Sequence, residues 1–154
     1  MYLFRRTYVK NWGHLPEKHK IKVKLNGKKH PFIDPLKIMF ITEELANWSK
    51  ANQIHKWFVE NCQKGNDDCR EYQVLVSELM KLLTLCEMIK SDNKLAKQLL
   101  PTQDGFFFGD INYGEFYFKN IDYTIEVLES IHIQNEKEVK AKYYNSEYYY
   151  QSIW

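Results

Sequence analysis

Apolar residues recur at helical spacing through the first third of the chain. Ile41, Leu45, Trp48, Asn52, His55 and Val59 fall on one stripe, with alternating steps of four and three. Asp34-Pro35 supplies a cap and a first-turn proline, and Lys64-Gly65-Asn66-Asp67-Asp68 supplies a stop. The pattern therefore predicts one long helix from about 34 to Cys62. A second helix follows, capped by Ser77 and facing the core with Leu79, Leu82, Leu83, Cys86 and Ile89. It breaks at Ser91-Asp92 and continues over Asn93 to Leu100 as a shorter piece. A third helix spans about Tyr113 to Ile133, with Tyr117, Ile121, Thr124, Leu128 and Ile131 in register.

Alternation with period two appears at the start of the chain and in the short stretch Glu71–Val76. Tyr2 to Val9 has strand composition, and Ile21, Val23 and Leu25 alternate with lysines. Asn26-Gly27 then provides a tight turn, with Phe32 and Ile33 on the return arm. These elements make an α+β domain with two long helices, a shorter one and a small N-terminal antiparallel sheet. The 154 residues, 44% apolar and 27% charged, fit a single domain. Within it, 1–33 is a basic hairpin element, 34–135 a helical body and 136–154 an aromatic tail. Six large rings in the twelve residues Tyr143 to Trp154 predict a tail that packs on the body, on a second copy or on a partner.

Charge and cysteine narrow the classes. The net charge is +2, yet residues 1–30 carry +8, leaving an acidic remainder. A basic element on an acidic body suits phosphate, and it also describes a solvated lysine-rich hairpin. Cys62, Cys69 and Cys86 are odd in number and without CxxC spacing, and the histidines form no ligand pattern with them, so neither disulfides nor metal is expected. The start, MYLFRRTYVK, lacks the order of a signal peptide, and no apolar run approaches the roughly 20 residues of a membrane span. The expected location is the cytoplasm.

Two places carry candidate chemistry. Asn52 and His55 lie on an apolar stripe beside Trp48, with Glu44 on its flank. Buried polar groups of this kind bond to the protein or to a ligand. The second place is Leu100-Pro101-Thr102-Gln103-Asp104-Gly105-Phe106-Phe107-Phe108-Gly109, a loop in which two glycines bracket stacking rings. It matches neither a P-loop nor a dinucleotide fingerprint. A ligand wall would combine Trp48, Asn52 and His55 with Thr102, Gln103, Phe106, Phe108 and Tyr113. No catalytic residue and no cofactor are assigned.

Five segments occur together in a recognisable order: Tyr8-Val9-Lys10-Asn11-Trp12; Trp48-x-Lys50-Ala51-Asn52-x-Ile54-His55-x-Trp57-Phe58-Val59; Glu71-Tyr72-x-Val74; Leu99-Leu100-Pro101-Thr102-Gln103-x-Gly105-Phe106-Phe107-Phe108-Gly109; and Tyr149-Tyr150-Gln151-Ser152-x-Trp154. With them the chain resembles a family of uncharacterised proteins encoded by bacteriophages and prophages. It lacks a longer insertion before the Leu-Leu-Pro-Thr-Gln segment and carries Asp104 where relatives tend to have serine. The resemblance implies a gene product acting in the cytoplasm of an infected bacterium, and it carries no established activity. The expectation drawn is a non-enzymatic binder of a small anionic, nucleotide-like ligand that counteracts host defence signalling. The alternatives are a protein-interaction module docking on a host or phage protein through the aromatic tail, a weak nucleic-acid binder using the basic hairpin, and an enzyme built on Glu44 and His55. A homo-oligomer is compatible with each, and a membrane partner with none.

Overall fold

The computed structural model describes residues 1–10, 20–104, 111–142 and 145–153. In chain order it forms β1 (Tyr2–Tyr8), a hairpin of β2 (Lys24–Leu25) and β3 (Lys28–Lys29), a 3-10 turn (Pro35–Lys37), β4 (Phe40–Asn47) and α1 (Asn52–Asn61). Then come β5 (Tyr72–Val74), α2 (Val76–Ser91), a 3-10 turn (Asn93–Leu95), α3 (Ala96–Leu99), α4 (Glu115–Lys140) and β6 (Ser146–Gln151). Among the described residues, four helices accompany a four-stranded antiparallel sheet of order β4-β1-β6-β5, an α+β arrangement.

The predicted long helix over 34–62 does not form. Asp34 Oδ1 does accept from the Leu36 amide at 3.0 Å with Pro35 in place, but only one 3-10 turn follows. Ile38 is already extended at φ −71°, ψ 122°, and Phe40 to Asn47 pairs along the whole of β1. The aromatic and β-branched residues Phe40, Ile41 and Thr42 fit a pleated surface, and the long-range pairing decides their conformation. The helix restarts after Lys50, which adopts φ 56°, so α1 holds ten residues. Its stop stands where predicted, with Lys64 and Gly65 both at positive φ.

The tail is also redrawn. α4 runs on to Lys140, and Ser146–Gln151 becomes an inner strand between β1 and β5. Tyr148 and Tyr150 point into the core while Tyr149 points away, the period-two pattern of a strand with one buried face. Tyr143, Tyr144 and Trp154 lie outside the described residues. The N-terminal hairpin forms its Asn26-Gly27 turn at φ 51° and 77°, yet each arm is two residues long and Phe32 is exposed rather than part of a return arm. α2 begins at Val76 without a side-chain cap, so Ser77 sits inside it.

Pairing register sorts the sheet into two faces. Leu3, Ala46, Tyr148, Tyr150 and Val74 are buried and join Phe58, Leu79, Leu82, Ile121 and Leu128 in one core. The predicted apolar faces of α2 and α4 are all inside it. Tyr2, Phe4, Arg6 and Tyr8 of β1, with Phe40 and Tyr149, alternate onto the opposite face.

Candidate functional site

The residues expected to form a ligand wall are largely bonded to the protein. Trp48 is buried and its Nε1 donates to Thr124 Oγ1 at 2.9 Å, tying the end of β4 to α4. Asn52, in the first turn of α1, accepts from the Gln103 amide at 3.1 Å. The Thr102 amide donates to the Tyr113 hydroxyl at 3.1 Å, and Thr102 Oγ1 donates to the Ile111 carbonyl at 3.0 Å. Tyr117 completes the cluster by donating to the Leu100 carbonyl at 2.9 Å. Asn52, Thr102, Gln103 and Tyr113 are thus brought together, and the inward direction expected of Asn52 and His55 is found. Phe106 and Phe108 lie outside the described residues.

His55 goes elsewhere. It is fully buried, with Nδ1 at 2.8 Å from the Tyr150 hydroxyl and Nε2 at 3.1 Å from Asp67 Oδ1. Burial raises the Tyr150 phenol well above the ordinary tyrosine range, so it stays protonated as a hydrogen-bonding group. Glu44 stands exposed on β4, opposite Phe4 on the sheet face turned away from the core. Glu44 therefore lies on the sheet face opposite the core that holds His55, and the two do not meet in one site. Among the described residues no group of three His, Cys, Asp or Glu side chains could hold a metal.

A groove of about 430 Å³ runs between α4 and the sheet, lined by Arg5, Leu45, Glu126, Glu129, Lys137 and Tyr148 among others. Its field does not favour an anion. Arg5 gives Nε and Nη2 to Glu43 at 2.8 and 2.6 Å, and Nη1 to Glu138 at 3.3 Å. Arg6, the other arginine of β1, bonds both oxygens of Glu71 at 3.0 Å. Two of the cations expected to receive phosphate are therefore neutralised in place.

Among the described residues, the most exposed apolar surface is elsewhere. Phe32 is 91% and Leu36 87% exposed, and Ile33, Met39, Phe40 and Ile41 are exposed too. This run leads into β4, which ends the sheet order, with no described strand beyond it. At its far end the Asn47 amide is taken by the Tyr123 hydroxyl at 3.2 Å. On the adjoining face the Arg6 guanidinium lies 4.7 Å from the Phe40 ring and 4.3 Å from the Tyr149 ring, while Tyr8 and Tyr149 both donate to Glu147. Those rings cover one another, Phe40 among them; in the rest of the run Phe32 meets only the edge of the His30 ring, with centroids 6.3 Å apart, and Ile33, Leu36, Met39 and Ile41 stand exposed. Helical spacing places Ile41 and Leu45 on the core side of a helix, and so hides this surface from sequence reasoning. The signal available was the run Ile38-Met39-Phe40-Ile41-Thr42, rich in strand-forming residues.

No family model, no curated protein and no solved structure matches the chain.

Proposed function

We propose that the chain is a non-enzymatic protein-interaction module. The carrying observation is the run Phe32–Ile41, in which six large apolar side chains stand exposed and lead into the open edge of the sheet. Large apolar side chains that follow one another in the open and lead into an unpaired sheet edge are what a docking partner covers. The docking element is this run rather than the aromatic tail, whose Tyr148 and Tyr150 are core residues. The resemblance to phage proteins makes a host or phage protein inside an infected bacterium the partner class, with host defence signalling as the process counteracted. No described helix is long and apolar enough to cross a membrane.

The nucleotide-like ligand has less support. Asn52 Oδ1, the Thr102 hydroxyl and the Gln103 amide bond to the fold, and the groove along α4 holds Glu126 and Glu129 beside an Arg5 already paired with Glu43 and Glu138. The test is a photo-crosslinker at Leu36 in protein expressed in bacteria, compared with the same protein carrying Phe32→Asp. The expected result is a stoichiometric protein adduct that Phe32→Asp abolishes. An adduct indifferent to Phe32→Asp, or a co-purifying small molecule in native mass spectrometry with no protein adduct, would overturn the reading.

A further inference from the structure

We infer that β4 receives an extended basic segment of the partner protein as a fifth strand, an inference that rests on the protein-binding reading above. β4 offers eight residues of strand at the end of the sheet, and none of the described residues forms a strand beyond it. An edge of that length presents unpaired amides and carbonyls that another strand can satisfy. Proteins usually blunt such edges with proline, lysine, a bulge or a covering element; β4 carries neither proline nor lysine, and its bulge at Leu45 and the Asn47 amide held by Tyr123 leave Phe40–Glu44 as the open stretch.

Side chains along β4 state what the incoming strand must carry. Phe40 and Ile41 are exposed at its start, one on each face, and present apolar surface to the residues set opposite them. Glu43 and Glu44 follow, again one on each face, and both are exposed. Both Arg5 bonds to Glu43 fall on Oε2, and Glu44, which feels the charge of the Met1 ammonium, makes no hydrogen bond among the described residues. The complementary segment therefore pairs two apolar residues with Phe40 and Ile41, and two lysines or arginines with Glu43 and Glu44.

The same carboxylates argue against a second copy of the chain. Directly opposed residues in antiparallel strands share a face, so pairing the regular stretch Phe40–Glu44 with itself about Thr42 sets Phe40 and Ile41 against Glu44 and Glu43, apolar against charged, and the remaining well-overlapped pairings centre on Glu43 or on Glu44. Each of these last sets a carboxylate against its own copy, a destabilising contact. The edge is closed to itself and open to a basic strand.

The experiment uses the full chain and two blocked peptides, Val-Val-Thr-Lys-Lys and its reverse, which cover both strand directions. Glutamates replace the lysines in control peptides. Binding is read by amide exchange and chemical shifts across β4. The expected result is slowed exchange at β4 amides with a lysine peptide only, and a loss of about fivefold in affinity in Glu44→Lys. Glu44 is solvent-exposed, so that variant folds. Unchanged β4 exchange with every peptide, or equal binding of the glutamate peptides, would overturn the inference. A partner whose adduct at Leu36 is abolished by Phe32→Asp, yet leaves β4 amides unprotected, would overturn strand addition alone and leave the module reading standing.

Discussion

His55 Nδ1 and the Tyr150 hydroxyl share a hydrogen bond of 2.8 Å across 95 positions of sequence, joining α1 to the inner strand β6. Tyr150 also stacks on Phe58, with ring centroids 4.0 Å apart and planes 10° from parallel. The pair fixes where the C-terminal strand meets the helix, and it gives His55 a structural reason to be buried.

Removing the hydroxyl separates the two contributions. Tyr150→Phe keeps the stack and leaves the imidazole short of one partner, which costs about 1–3 kcal/mol for a buried polar group. Tyr150→Ala removes the ring as well and costs about 3–5 kcal/mol. Urea unfolding measures both. A Tyr150→Phe variant as stable as the parent would show that the hydrogen bond contributes nothing net.

Truncation should do more than loosen a tail. β6 is the shared neighbour of β1 and β5, so a chain ending at Asn145 loses both pairings together with Tyr148 and Tyr150 from the core. We expect no cooperative melting transition by circular dichroism. A truncated chain that melts within a few degrees of the full one would show that β6 adds little.

Local pattern revealed the helices that bury a continuous face. Leu79 to Ile89 on α2 and Tyr117 to Ile131 on α4 keep a 3.6-residue period because one partner surface runs beneath them. Residues 38–47 misled for a physical reason. The register between β1 and β4 shifts at Leu3/Phe4, so Leu45 is an extra residue and the period-two alternation is interrupted. What remains, Ile41, Leu45 and Trp48, imitates helical spacing. The inward direction of Asn52 was legible because the residue belongs to a true helix, and its contact with the Gln103 loop follows from that. The partner of His55 was not legible, since it comes from a strand that pairs only when the chain ends return to one sheet. The exposed edge was hidden by the same misassignment.

Alkali should destabilise the fold from about pH 9 upward. Burial pushes the Cys62 and Cys86 thiols from 9.0 up to about 12, and it raises Tyr117, Tyr148 and Tyr150 above 10.0. In the unfolded chain these groups ionise near their ordinary values, while in the folded chain they hold their protons. Their stability contribution is complete below pH 9 and is lost as pH climbs toward the folded values. Melting temperature between pH 8 and 11 tests this, and a flat profile would contradict it. At pH 8, iodoacetamide should modify exposed Cys69 first, with Cys62 and Cys86 following only on unfolding.

Mutating the hairpin should leave the fold alone while removing what nucleic-acid affinity there is. Of the nine cations in residues 1–30, Arg5 and Arg6 are held by Glu43, Glu138 and Glu71. Lys24, Lys28 and Lys29 instead stand exposed on β2 and β3, where no described acid pairs with them. Three clustered lysines neutralise few phosphates, so binding should be weak and should fall steeply with salt as counterions are released. Lys24→Gln, Lys28→Gln and Lys29→Gln together should flatten that salt dependence. Exposed substitutions of this kind usually shift stability by no more than about 0.5 kcal/mol each. Fluorescence anisotropy with a labelled single strand, from 20 mM to 200 mM salt, measures the slope. Binding that persists at the higher salt in the triple variant would place the phosphate contacts outside the hairpin.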